Sequence, residues 1–192
     1  NRRGVLISDQ SGKANVIHMA GRMGIDLSGD KEAVAAILKK LKQAEFEGYK
    51  FDGAEGSFEI LTRKCIGNHK PFFELQGLRV LDTKRSHSGE VFSEATIQLR
   101  IGNKIEHTAA EGDGPVNALD NALRKALEPV FPCLREVRLT DYKVRVLDER
   151  NGTGAKVRVL ITSRDGKRSW STVGVSTNVI QASWLALVDS IE

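Results

Sequence analysis

The segment Glu111-Gly112-Asp113-Gly114-Pro115-Val116-Asn117-Ala118 holds the richest chemical potential in the sequence. It reads as a strand-to-helix junction. Two glycines remove side-chain bulk, and Pro115 suits the first helical turn because its missing N–H would be an orphan there. The remaining first-turn amides have no intrahelical partner, so free N–H groups and the helix dipole together favour a small anion. The competing reading is that the glycines permit a tight turn and Asp113 caps its own helix. An equivalent junction recurs at Ser176-Thr177-Asn178-Val179. Between the two lies an alternating run, Arg138 to Val146, in which Leu139 and Tyr142 flank a bend and Val144 and Val146 are assigned to opposite faces. Apolar side chains beside an anion-binding helix end suit a small zwitterion with an aliphatic tail; ordinary core packing is the alternative.

Other chemistries find little support. His18, His69, His87 and His107 are scattered, none at an i, i+2 or i, i+4 distance from another, so the spacing of a metal site is missing. There is neither a G-x-S-x-G elbow nor a cysteine with a positioned base for nucleophilic catalysis. Ser11-Gly12-Lys13-Ala14 fails as a phosphate loop, with Ile7 in place of the first glycine and Ala14 in place of the Mg²⁺-binding hydroxyl. Gly112-Asp113-Gly114 lacks the third glycine of a dinucleotide fingerprint, where Asn117 stands. Cys65 and Cys133 belong to no C-x-x-C and build no disulfide framework. Across 192 residues, 29 basic and 25 acidic side chains leave a formal charge of only +4, and Lys39, Lys40, Lys42, Lys84 and Arg85 sit beside acids. A nucleic-acid partner is therefore not expected. Trp170 and Trp184 read as core or interface anchors. No stretch approaches the roughly 18 to 20 apolar residues that cross a bilayer, which points to a soluble, cytoplasmic protein without a membrane partner. The chain opens without an initiator Met, as expected for a piece of a longer polypeptide.

These residues must be positioned by a chain that is 40% hydrophobic and 28% charged, enough for one core and a small second lobe. Residues 1 to 70 read as a helical linker subdomain. A short helix is assigned near Lys13 to Gly21. A firmer one runs from about 31 to 46, with Asp30 as cap, Val34, Ile37, Leu38 and Leu41 at helical spacing and Gly48 as a left-handed stop. A third is expected to start with a capping box between Asp52 and Glu55, placing Phe58, Leu61 and Cys65 on one face. Residues 71 to 192 change period. Strands are expected at Phe72 to Asp82, Val91 to Ile101 and Lys104 to Ala110, then a helix from Pro115 with Val116, Leu119, Ala122, Leu123 and Leu127 as its buried stripe. The same order then returns. Val80-Leu81-Asp82 is repeated as Val146-Leu147-Asp148, Gly102-Asn103-Lys104 as Asp165-Gly166-Lys167, and Asn117-Ala118 as Gln181-Ala182, at a period of roughly 64 residues. The fold class is α+β: a helical segment followed by a pseudo-twofold pair of βββα units burying each other's apolar faces.

Glu111 to Ala118, the strand Asp141-Tyr142-Lys143-Val144-Arg145-Val146-Leu147-Asp148 and the run Trp170-Ser171-Thr172-Val173-Gly174-Val175-Ser176 together resemble one known region. It is the C-terminal regulatory domain of the 2-isopropylmalate synthase and citramalate synthase family, with the citramalate branch the closer likeness. The opening Arg3 to Asn15 resembles the segment that leaves that family's catalytic barrel, so the likeness covers essentially the whole chain. It implies a parent acyltransferase that condenses acetyl-CoA with a 2-oxo acid, pyruvate in the citramalate branch, using a divalent metal in a barrel. The H-x-H metal pair is absent from these residues, so no catalytic residue, metal ligand or cofactor is assigned here. The resemblance implies feedback inhibition of a homodimer, by isoleucine for citramalate synthase or leucine for 2-isopropylmalate synthase. The effector site it implies comprises Gly114, Val116 and Asn117 from the first junction, Leu139, Tyr142 and Val146 from the central strand, and Val157, Thr177 and Val179 from the second repeat. The family often has Asp where this sequence has Asn117.

Overall fold

A computed structural model describes residues 12–84 and 89–192, leaving the opening stretch and His87 outside the described residues. Three helices come first: α1 (Lys13–Arg22), α2 (Lys31–Glu47) and α3 (Glu55–Cys65). Asp30 caps α2, its carboxylate accepting the Ala33 N–H at 2.8 Å, and Gly48 ends the helix at φ +111°, a conformation that only glycine adopts without strain. The start of α3 departs from expectation. Gly53 turns the chain at φ +75°, the helix begins at Glu55, and the cap residue is Ala54, which offers no side-chain acceptor. Glu55 is thus the first helical residue instead of the third, and the expected Asp52–Glu55 capping box does not form.

The first βββα unit comprises β1 (Glu74–Lys84), β2 (Val91–Ile101), β3 (Lys104–Gly112) and α4 (Pro115–Leu127). Its antiparallel sheet has the order β1-β2-β3, with one irregularity between Leu75 and Gly77. Alternation along β2 buries Ala95, Ile97 and Leu99, and α4 covers them with Ala118, Leu119, Ala122, Leu123 and Leu127. A short 3₁₀ turn, Pro132–Glu136, follows. Its end is tied back to α4 by Arg124, whose Nη1 donates to the carbonyls of Leu134 and Val137 at 3.1 and 2.7 Å.

The second unit repeats the order with β4 (Arg138–Val146), β5 (Val157–Arg164), β6 (Ser169–Ser176) and α5 (Val179–Ile191), in a sheet of order β4-β5-β6. One hydrogen bond is copied from repeat to repeat. Thr108 Oγ1 donates to the Ala122 carbonyl at 2.9 Å, and Thr172 Oγ1, at the same place in the second unit, donates to the Ala186 carbonyl at 2.7 Å. Val144 and Val146, assigned to opposite faces by the sequence reading, are both 45% exposed. Residues two apart on a strand share a face, so that assignment was wrong.

Among the described residues the chain divides into two compact units. One is Pro71–Arg138 together with Ile191. The other joins the helices up to Lys70 with Leu139–Ser190, so the helical segment and the second repeat share a core in which Val16, Ile37, Leu41 and Phe58 pack with Val173 of β6. Within this unit α3 approaches β6 closely at Gly56, where a Cβ would stand 2.9 Å from Thr172 Cγ2 and 3.0 Å from the Ser171 carbonyl. The outer edge of β6 is satisfied by this segment: the Val173 N–H donates to Ser57 Oγ at 2.9 Å, and Tyr49 hydrogen-bonds the Val175 backbone. An edge strand is thereby closed against pairing with another chain. In return β5 and the residue before it cap α2, Arg158 Nε donating to the Gly48 carbonyl at 2.7 Å and Lys156 Nζ to the Glu47 carbonyl at 3.3 Å. Burial, and secondarily Arg145, lowers the pKa of this Arg158.

Candidate functional site

The two helix starts carry the chemistry singled out in the sequence, and they are built differently. At α4 the cap residue is Gly114, with an extended backbone at φ −173° and no side chain to offer the amides of Val116 and Asn117. Nothing about the backbone or the packing demands glycine there, since a Cβ would meet nothing within 4 Å. Gly112 is the opposite case: a Cβ would lie 2.3 Å from the Ala118 nitrogen and 2.7 Å from Asn117 Oδ1. One glycine lets the helix approach the strand; the other leaves open space in front of free amides.

Asp113 does not cap the helix, because Gly114 occupies the cap position. Its contribution is a backbone N–H donated to Asn117 Oδ1 at 3.2 Å. Asn121 braces the same loop, its Nδ2 donating to the Glu111 carbonyl at 2.9 Å and, more weakly, to Asn117 Oδ1 at 3.5 Å. The sequence reading missed Asn121. Its signal was the amide residue one turn after Asn117, facing the same loop.

At α5 the expected bare amide end is closed. Asn178 is the cap residue, and its Oδ1 accepts the N–H groups of Ile180 and Gln181 at 2.8 and 3.1 Å. Ser176 Oγ in turn accepts the Asn178 N–H at 3.1 Å. The reading of this junction as a second open anion site was mistaken, because asparagine at a cap position satisfies its own helix.

The nine expected site residues fall in two groups. Gly114, Val116 and Asn117 lie together at the start of α4 in the unit of the first repeat. Leu139, Tyr142, Val146, Val157, Thr177 and Val179 belong to the other unit. Within that second group Tyr142 and Val179 are linked through Ser183. The Ser183 hydroxyl donates to the Val179 carbonyl at 2.7 Å, which leaves its oxygen to accept from the Tyr142 hydroxyl at 2.9 Å. Tyr142 thus ties β4 to the first turn of α5. Val146 and Val179 are 45% and 39% exposed, an apolar surface available to a ligand or partner, and Thr177, two residues before Val179, is exposed. Strand alternation sets Leu139, half-buried, on the opposite face of β4 from Tyr142 and Val146. Among the described residues no three His, Cys, Asp or Glu side chains converge to hold a metal ion. No helix there is long and apolar enough to cross a membrane.

Comparison with known proteins places this arrangement. Residues 52–192 match the LeuA allosteric (dimerisation) domain, a span that takes in α3, both βββα units and both helix starts. The chain belongs to this family. Over its full length this LeuA-type chain is 51% identical to an (R)-citramalate synthase of Geobacter sulfurreducens and 48% identical to one of Aquifex aeolicus. A 2-isopropylmalate synthase of Shewanella amazonensis is 29% identical over 98% of the chain. The LeuA-type chain spans 36% of the length of each of the two citramalate synthases. It is a regulatory domain of this family together with a helical segment, and the α+β fold with paired βββα units accords with that membership.

Proposed function

We propose that this chain is the feedback-regulatory region of a citramalate synthase, a cytoplasmic acyltransferase that condenses acetyl-CoA with pyruvate on the way to isoleucine. Isoleucine is the effector, bound where two protomers associate as a homodimer. Residues 1–70 act as the linker to the catalytic part and residues 71–192 as the effector-binding domain; the region itself performs no catalysis. The observation that carries the proposal is the asymmetry of the helix starts: Gly114 leaves the first amides of α4 uncapped, whereas Asn178 closes those of α5.

In this reading the effector carboxylate meets the amides of Val116 and Asn117 at the positive end of α4. The ammonium is received by carbonyl oxygens or by Asn117. The aliphatic tail rests on the apolar group supplied by Tyr142, Val146, Val157 and Val179, with Thr177 near Val179; Leu139, on the opposite face of β4, lies outside this group. Coupling of about 1–3 kcal/mol between such a site and the catalytic part is enough for feedback control. The 29% identity to a 2-isopropylmalate synthase supports leucine as the effector less well than the 51% identity to a citramalate synthase supports isoleucine.

Titration calorimetry with isoleucine, leucine and valine tests the reading. Isoleucine is expected to bind best, and both Gly114→Val and Tyr142→Ala are expected to weaken it. Absence of binding by all three amino acids at millimolar concentration overturns the effector assignment, and a monomeric mass at high protein concentration overturns the dimer.

A further inference from the structure

A cavity of about 560 Å³ opens within the unit formed by the helical segment and the second repeat, and none of the residues lining it belongs to the effector proposal. Apolar side chains of Phe51, Ile60, Leu61, Val173 and Leu185 line it. Its volume lies within the range of small-molecule sites, about 300–1,000 Å³. What distinguishes it from a packing defect is a fixed carboxylate. Asp189 Oδ2 accepts from Ser57 Oγ at 2.6 Å, and Ser57 Oγ is itself pinned by the Val173 N–H, so the carboxylate is held in one orientation. Its other oxygen stands 3.9 Å from Lys64 Nζ, beyond hydrogen-bond distance, and a carboxylate has about four acceptor sites to fill. Only 19% of this side chain is exposed. Burial pushes its pKa up, with Glu192 adding to the rise, while Ser57, Lys64 and His69 oppose it. A carboxylate so placed gains from any cationic N–H donor that reaches it. Exposed Lys40 and Lys64 line the same cavity, so its surface offers both signs of charge around an apolar wall.

We propose that this cavity is a binding site for an α-amino acid with an apolar side chain, its ammonium on Asp189, its side chain against Leu61 and Leu185, and its carboxylate toward Lys64. The site is separate from the α4 junction and does not depend on that reading. Occupancy bridges α3 and α5, fastening the helical segment to the second repeat.

Methyl NMR of the chain titrated with L-leucine, L-isoleucine and L-phenylalanine tests it. Saturable shifts are expected at Leu61, Leu185 and Val173. Leu61→Trp, which fills the cavity, should abolish those at Leu185 and Val173 while leaving any shift at Val116 unchanged. Asp189→Asn should weaken L-leucine about tenfold or more, the effect of losing a charged hydrogen bond, yet leave 4-methylpentanoate, which lacks the ammonium, unaffected. The proposal is overturned if none of the three amino acids shifts the cavity methyls, if the shifts persist in Leu61→Trp, or if Asp189→Asn weakens leucine and 4-methylpentanoate equally. Shifts at Val116 without shifts at Leu61 uphold only the effector site at α4; the reverse pattern upholds only the cavity.

Discussion

The two βββα units fasten helix to sheet in the same way and part company where their helices begin. In both, a threonine hydroxyl of the third strand reaches a helix carbonyl, Thr108 to Ala122 and Thr172 to Ala186. In both, a glycine lets the strand approach the same helical position, Gly112 against Ala118 and Gly174 against Ala182, although the two glycines sit at different steps of their strands. The cap residues then diverge: Gly114 offers the helix nothing, Asn178 offers two hydrogen bonds. The surroundings diverge too. In α5 Asp189 is drawn into the core beneath the helical segment, while Lys125, its counterpart in α4, is exposed and reaches back to the Ala109 carbonyl at 3.1 Å. A duplicated scaffold has therefore kept its packing rules and released its helix ends for different work.

The largest test of the shared packing is at the two close approaches. Gly174→Ala places a Cβ 2.0 Å from the Ala182 carbonyl oxygen and Gly112→Ala one 2.3 Å from the Ala118 nitrogen. Each should cost about 3 kcal/mol in urea denaturation, whereas Gly114→Ala should stay within about 0.5 kcal/mol. Equal costs at all three glycines would break the distinction between a glycine needed for packing and one that leaves space.

Next come the caps. Asn178→Ala should cost about 1 kcal/mol, while Gly114→Asn should gain a few tenths and, by closing the α4 amides, reduce isoleucine binding measured by calorimetry. Isoleucine binding undiminished in Gly114→Asn would remove the functional meaning of the asymmetry. The threonines should follow. Thr172→Val, at a fully buried site, should cost about 1 kcal/mol, and Thr108→Val, half-buried, less than that. The finest contrast is a pH dependence. Because the folded-state pKa of Asp189 lies above its unfolded value, the native chain holds the proton more tightly, and stability falls as pH rises from the ordinary carboxylate range through the raised pKa. Asp189→Asn keeps an acceptor for Ser57 and removes the charge, so its melting temperature should exceed the parent's at neutral pH, with the gap closing in acid. A gap independent of pH would show that the buried charge is not its cause.

Much of this architecture was legible because it is local. Asp30 and Gly48 bracket α2, the alternation of β2 declares its buried face, and Pro115 marks the start of α4. The repeat itself could be read from matched turns and helix residues. The errors were also local: a capping box drawn two residues early because Gly53 delays the helix, and an asparagine read as an open anion site when it satisfies its own amides. What the sequence did not yield is the pairing of Ser57 with Asp189, or of Arg158 with the end of α2. Those contacts join segments more than a hundred residues apart, and no periodicity announces them. The nearest signal was Gly56, a glycine in the first turn of a helix, there because β6 passes too close for a side chain.

The shared core of the helical segment and the second repeat has a consequence for the order in which the chain becomes stable on the ribosome. Apart from Ile191, the unit of the first repeat is residues 71–138, so nearly all of its own core is present once that stretch is made. The helices synthesised before it cannot close, since Ser57 waits for Val173 and Asp189, both over a hundred residues downstream. At about 5–20 residues per second that interval is on the order of 6–25 s, during which an apolar helix face stands uncovered. Of these two segments, the one made earlier is sealed later.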